Sequence, residues 1–413
     1  MTAVQQNIAS SAAALDRPDA EAKRALAASV AGYAMDGFDL LILGFMLGAI
    51  RADLGLTPAQ GGSLLTWTLI GAVVGGIVFG MLSDYYGRVR VLTWTILLFA
   101  IFTGLCAFAQ GYTDLLIYRT VAGLGLGGEF GIGMALVAEA WPARLRARAC
   151  ANVALGWQGG VLVAALVTPL LLPHIGWRGM FLVGIVPGLV AFAIRWYVGE
   201  PKIFVEHAGR VRGLEPLKLL VKDAATTKIS LGMFILCAVQ NFGYYGLMIW
   251  LPSYLSSRFG YTLTQSALWT AVTVAGMAAG IWVFGQFADR IGRRPALITF
   301  QVGAAVMVLV YSQLTDSAAL LIGGAVMGVF VNGMLGGYGA LLSELYPTEA
   351  RGTAENVLFN LGRGVGGFGP LAVGALVAAY SYQAAIALLA GIYVIDIIAT
   401  VLLIPERRGA ALE

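Results

Sequence analysis

Apolar runs of about twenty residues recur along the chain, each closed by a short polar turn. That spacing matches the length a helix needs to cross ~30 Å of hydrocarbon. Twelve such runs can be drawn, at 25–50, 59–83, 91–110, 113–138, 146–172, 179–199, 229–257, 263–288, 296–315, 317–345, 353–380 and 383–404. The pattern predicts an all-α membrane protein with 12 transmembrane helices. The longest polar stretch, 200–228, carries Lys202, Arg210, Arg212, Lys218, Lys222 and Lys228. It reads as a cytoplasmic linker between two six-helix bundles, 25–199 and 229–404, with polar tails at 1–24 and 405–413. Of 26 basic residues, 21 fall on the cytoplasmic side or at that membrane edge; Arg51, Arg178 and Arg258 fall on the far side, and Arg119 and Arg363 lie within spans. The bias of Lys and Arg toward the cytoplasm therefore predicts both termini inside.

The two halves repeat one another at an offset of 205 residues. GMLSDYYGRVRVL at 80–92 pairs with GQFADRIGRRPAL at 285–297, and EAWPARLRARA at 139–149 with ELYPTEARGTA at 344–354. The offset sets Asp84 over Asp289, Gly123 over Gly328 and Asp36 over Asn241. A parallel duplication of a six-helix unit is the sequence mark of transporters whose halves rock about a central site.

These loops also resemble a known family, the major facilitator superfamily. Its signature G-x3-D-x2-G-R-x-R/K is matched by Gly80, Asp84, Gly87, Arg88 and Arg90, and more loosely by Gly285, Asp289, Gly292, Arg293 and Arg294. The resemblance implies two pseudo-symmetric bundles, a monomer, and a cytoplasmic gate formed by Asp84, Arg88, Glu139, Asp289, Arg293 and Glu344. Within the superfamily, DGFD at 36–39, GLGLGGEFG at 123–131 and EAWPARLRARA resemble the sialate:proton and aromatic acid:proton symporters. Enteric sialate transporters carry two additional spans between the halves, and residues 200–228 are too short and polar for those. A smaller monocarboxylate, sugar acid or aromatic acid is the expected substrate, carried with protons across a bacterial inner membrane.

Composition sharpens this picture. The chain is 59% hydrophobic and 12% charged, with a mean hydropathy of +0.82, against about 25% charged for soluble domains. Its 55 glycines suit close helix contact in lipid. The net charge of +4 is dispersed over short loops, so it predicts no nucleic-acid partner. Three cysteines and two histidines support neither a disulfide framework nor a metal site, and no cofactor is expected. The first 24 residues lack a signal-peptide core. GLGLGG lies inside a predicted span without a preceding strand, so its glycines read as packing rather than as a nucleotide loop.

Against that apolar background, the charges inside the runs demand a reason, since each costs roughly 2.5–3.5 kcal/mol at mid-membrane. Four intramembrane carboxylates, Asp36, Asp39, Glu129 and Asp396, face two arginines, Arg119 and Arg363. At a rise of ~1.5 Å per residue, Asp36, Glu129 and Arg363 share a depth of about 15 Å, with Arg119 nearer Asp39. Burial and like charge hold carboxyls protonated, which makes Asp36, Asp39 and Glu129 candidates for proton coupling. Arg363 and Arg119 are candidate anchors for a substrate carboxylate, with Gln158, Gln240, Asn241, Tyr244, Asn332 and Asn360 as polar lining; Tyr245 and Asn356 lie beside them. Asp396, on a helix that the resemblance places at the periphery, is left out of the mechanism. Each residue also has a structural reading: Asp39–Arg119 as an ion pair, Glu129 linked to Arg363, the amides as interhelical bonds. Two other functions stay open, a drug:proton antiporter and a nutrient sensor that binds without transporting. An enzyme is not expected, because no nucleophile or acid–base cluster has a suitable spacing.

Overall fold

The computed structural model describes residues 18–207, 214–261 and 263–407, and among these every regular element is helical. The first half holds α1 (Ala20–Leu54), α2 (Pro58–Tyr86), α3 (Arg88–Cys106) and α4 (Tyr112–Ala140). A single helical run, Arg146–Arg195, follows, interrupted at Gly176 (φ 65°, ψ 177°). A left-handed backbone there admits glycine without strain, and it divides the run into α5 (146–175) and α6 (177–195). Two short helices occupy the connection, α7 (Lys202–His207) and α8 (Glu215–Leu219). The second half comprises α9 (Ala224–Phe259), α10 (Leu263–Ile291), α11 (Arg293–Gln313), α12 (Ser317–Gly333), α13 (Leu335–Leu345), α14 (Thr348–Gly366), α15 (Gly369–Ala379) and α16 (Tyr382–Leu403).

Ten helices among the described residues are long and apolar enough to cross a membrane. The sixth expected run is represented by a shorter apolar segment, Leu170–Val186. The eleventh, expected as one span over 353–380, is instead two helices that part between Gly366 and Gly369. Its first part, α14, is polar for a simple reason: Glu355, Asn356, Asn360 and Arg363 are all buried there between other helices and need not face lipid. Asp19 caps α1, its carboxylate accepting from the Ala22 N–H at 2.8 Å, so residues 20–24, expected in the N-terminal tail, are helical.

Small residues set the helix spacing. A Cβ on Gly37 would stand 2.4 Å from the Trp157 carbonyl oxygen, and one on Gly160 only 1.9 Å from that of Ala34, so α1 and α5 touch backbone to backbone. GLGLGG does the same for α4 on α2: Gly123 meets the Thr68 carbonyl and Gly127 that of Ala72. The internal repeat reproduces the contact, with Gly328 against the Thr273 carbonyl. The halves meet along two equivalent pairs, α2 with α14 and α10 with α5. Large apolar side chains such as Ile101, Leu166, Leu170, Ile322 and Leu402 are exposed on the outside, where hydrocarbon rather than water meets them.

Candidate functional site

A small cavity lies between the halves, lined by Tyr33, Trp157, Gln240, Asn241, Tyr244, Tyr245, Asn332, Leu335, Phe359 and Arg363. The first half supplies two aromatic rings and the second supplies the polar groups. Tyr33 stands one turn before Asp36 on α1 and packs on Trp157, ring centroids 5.4 Å apart. Trp157 donates its indole N–H to the Tyr244 hydroxyl at 3.4 Å across the half-to-half boundary. Gln240 donates to Asn332 at 2.5 Å, and Asn241 donates to the Cys237 carbonyl at 2.9 Å.

Arg363 is the charge in this cavity. Its Nε donates to the Tyr245 hydroxyl at 3.3 Å, and its guanidinium lies 5.2 Å from the centroid of the Trp157 ring. Its Nη2 is buried without a hydrogen-bond partner, and Arg363 makes no ion pair among the described residues. Asp36 is fully buried, and its charge acts on both Arg363 and Tyr33.

Other expected site residues lie elsewhere. Arg119 forms a bidentate pair with Asp39 at 2.9 and 2.7 Å, both side chains fully buried, and Nε reaches the Thr68 hydroxyl at 3.3 Å. Glu129 turns toward α3 and accepts from the Thr95 hydroxyl at 2.8 Å. Gln158 is buried but does not line the cavity. Asn360 donates to the carbonyls of Gly127 and Asn356, which places it at the α14–α4 contact. Asp396 is buried on α16, beside Gln301. Tyr33, Trp157, Leu335 and Phe359 were not anticipated as lining. Tyr33 had a sequence signal, since it shares a helix face with Asp36.

Toward the repeated loops, the cavity floor is the stacked pair Phe130 and Phe359, ring centroids 3.7 Å apart. Beyond it the six expected gate residues assemble with two more, Arg146 and Arg351, which the offset also pairs. Arg88 binds Asp84 at 2.5 Å and Glu139 at 3.0 Å, and Arg351 from the other half reaches Glu139 at 2.7 Å. In mirror fashion, Arg293 binds Asp289 at 3.0 Å and Glu344 at 2.8 Å, and Arg146 crosses to Glu344 at 3.0 Å. Asp84 accepts from the Gly352 and Thr353 N–H groups at 3.1 and 2.8 Å and from the Thr353 hydroxyl at 2.6 Å. Asp289 accepts from the Ala147 and Arg148 N–H groups at 3.3 and 3.2 Å. Each carboxylate thus accepts from backbone N–H groups in the opening two turns of a helix in the opposite half. This end of the molecule is closed.

Two turns with positive φ, at Gly87 and Gly292, fold the chain back to place these arginines. Glu200 and Glu406 hold the helices that follow, accepting from Val89 and Arg90 and from Arg293 and Arg294 respectively. Burial raises the Glu200 carboxyl above the usual carboxylate range, against the backbone donors that pull it down. Glu355 on α14, fully buried, also falls inside the expected eleventh run and was not among the four carboxylates singled out there.

Two pseudo-equivalent helical halves around a central cavity, closed at one end by ion pairs, give the architecture of a membrane transporter. The sequence matches the Major Facilitator Superfamily model over residues 30–286 and 253–412, and the chain belongs to that family. It is 69% identical over 397 residues to a putative metabolite transport protein of Haemophilus influenzae, covering 94% of this chain and 98% of that one. A cis,cis-muconate transport protein of Acinetobacter baylyi is 31% identical over 387 residues, 91% of this chain and 92% of the other. Among solved structures, the proton:xylose symporter XylE bound to 6-bromo-6-deoxy-D-glucose superposes with a TM-score of 0.81 at 18% identity, over 96% of this chain and 98% of that one. That likeness establishes the fold. The protein is a transporter and not an enzyme.

Proposed function

We propose that this transporter imports a small organic acid anion together with protons by alternating access, with twelve crossings and both ends on the cytoplasmic side of a bacterial inner membrane. The observation that carries the reading is Arg363: a buried guanidinium facing a cavity, with an open Nη2 and, among the described residues, no carboxylate in ion-pair contact with it. Leaving a buried cation unpaired is costly unless a ligand completes it, and a carboxylate matches the guanidinium fork. The tyrosines and Trp157 around it would hold the flat or apolar body of an acid. A relative that transports cis,cis-muconate supports the same substrate class. A cationic drug would meet Arg363 with repulsion, which disfavours the antiporter reading.

Protonation of Asp36 beside Arg363, with Asp39 and Glu129 as further candidates, would neutralise the cavity once the anion is bound. Neutrality lowers the cost of occluding both. The halves then rock, the latch at Asp84 and Arg88 parts, and anion and proton leave inward. The test is uptake by purified protein in liposomes under an inward proton gradient, offering labelled lactate, a sugar acid, 4-hydroxybenzoate and cis,cis-muconate. Accumulation abolished by an uncoupler is expected for one of them. Equilibration indifferent to the gradient refutes proton coupling.

A further inference from the structure

The latch contains one acid that its symmetry does not account for. The offset of 205 residues pairs Asp84 with Asp289, Arg88 with Arg293, Glu139 with Glu344 and Arg146 with Arg351. One turn further inside, Glu355 has Cys150 as its counterpart. Glu355 is fully buried. It accepts from the Ser343 hydroxyl on Oε1, while Oε2 has no hydrogen-bond partner among the described residues.

The charges around Glu355 are already matched without it. Arg88 lies between Asp84 and Glu139. Arg351, one turn back on the same helix, reaches Glu139, the Thr348 hydroxyl and the carbonyls of Ser343 and Tyr346. The charged groups facing Glu355 are Arg351 on α14, Glu139 from α4 and Arg88 from α3, with the Cys150 thiol from α5; Asp84 from α2 enters the count through its ion pair with Arg88. Two arginines face two carboxylates. A third ionised carboxylate would be surplus, fully buried with one hydroxyl to solvate it, and an unpaired buried charge costs several kcal/mol. A protonated carboxyl removes that cost.

Position gives the proton a consequence. Glu355 lies between the latch and the Phe130–Phe359 floor, eight residues along α14 from Arg363. Parting of the halves at this end separates Arg351 from Glu139 and admits water to the same space. We propose that Glu355 is a gate-linked proton site, carrying a proton while this end is closed and giving it to entering water when the end opens. The carboxyl O–H bond breaks, the proton leaves on water or buffer, and Arg351, freed from Glu139, is one turn away to pair with the carboxylate. Acid then holds the gate shut and alkali favours opening. This rests on the alternating-access reading above, but not on which acid is carried.

The experiment uses spin labels on cysteines at Tyr86 and Ile291. These are exposed positions that end the equivalent helices α2 and α10, in full-length protein with the native cysteines replaced, in lipid nanodiscs. One linked proton changes the closed-to-open ratio by up to about tenfold per pH unit. The wild type is expected to shift toward longer distances between pH 6 and 8.5, and Glu355→Gln, a neutral near-isostere, to stay closed with at most a twofold change. An infrared carboxylic acid band at neutral pH that Glu355→Gln removes supports the assignment independently; an unchanged band overturns it. A Glu355→Gln protein that shifts as the wild type does overturns the proposal and leaves alternating access standing. So does a wild type insensitive to pH while Asp84→Asn opens the gate. Labels that never move, in any variant, refute both.

Discussion

Asp84 and Asp289 occupy equivalent places in the repeated motif, yet the structure predicts unequal consequences for neutralising them. Only bonds that cross between the halves are lost when the gate opens, so only those bias it. Asp84 makes three across the boundary, at 3.1, 2.8 and 2.6 Å, in a fully buried setting. A hydrogen bond to an ionised group contributes about 1.5–3 kcal/mol, and a neutral one about 0.5–1.5. Asparagine keeps one acceptor oxygen and turns its NH2 toward backbone donors. Asp84→Asn therefore loses one bond outright and the charge assistance of the others, about 3 kcal/mol, or roughly 100-fold toward opening. Asp289 makes two longer backbone contacts, 3.3 and 3.2 Å, and its Arg148 partner at 3.4 Å is a third exposed, where solvent screens the pair. Asp289→Asn should shift the gate by only about 1 kcal/mol, roughly fivefold. Single-molecule distances between labels at Tyr86 and Ile291 read both ratios directly. Equal shifts, or a larger one for Asp289→Asn, would refute the view that cross-boundary bonds set the closed state.

Three further outcomes follow from the geometry. Arg119→Met strands Asp39 as a buried charge and should destabilise the protein by about 3–5 kcal/mol, whereas adding Asp39→Leu should restore most of the loss; thermal unfolding in detergent checks both. Gly160→Leu drives a side chain into the Ala34 carbonyl and should lower the melting temperature far more than Gly159→Leu, since nothing lies within 4 Å of a Cβ on Gly159. Arg363→Lys keeps the charge but not the two-pronged geometry; it should raise KM for the transported acid at least about tenfold, a cost of about 1.4 kcal/mol, and an unchanged KM in liposome uptake would remove Arg363 from the site.

The expected gate residues illustrate what could be read in one dimension. Motif, offset and helix ends are properties of the chain's order, so Asp84, Arg88, Glu139 and their partners at 289, 293 and 344 could be singled out from the repeat and the family resemblance, and the structure brings them together. The same offset, carried seven residues further, also points to Arg146 and Arg351. The cavity was read in part: Gln240, Asn241, Tyr244, Asn332 and Arg363 line it as expected. Depth was equally accessible, because each helical residue adds a constant rise.

Azimuth was not. Asp36, Glu129 and Arg363 share a level by residue count, but Glu129 faces α3 and Thr95 while Arg363 faces the cavity. Arg119 has been taken up by Asp39. Asn360 points to α4 rather than inward, and Tyr33 and Trp157 supply the walls. The chain's order thus determined the class, the two halves, the latch and the height of each buried charge. Which charges meet, and which one is left open for a ligand, was decided only by folding. A helix face turns through a full circle every 3.6 residues, and the rotation of each helix against its neighbours is set by close-packed contacts such as Gly37 on Trp157 and Gly127 on Ala72. Those contacts join segments distant in sequence, so no local pattern encodes them.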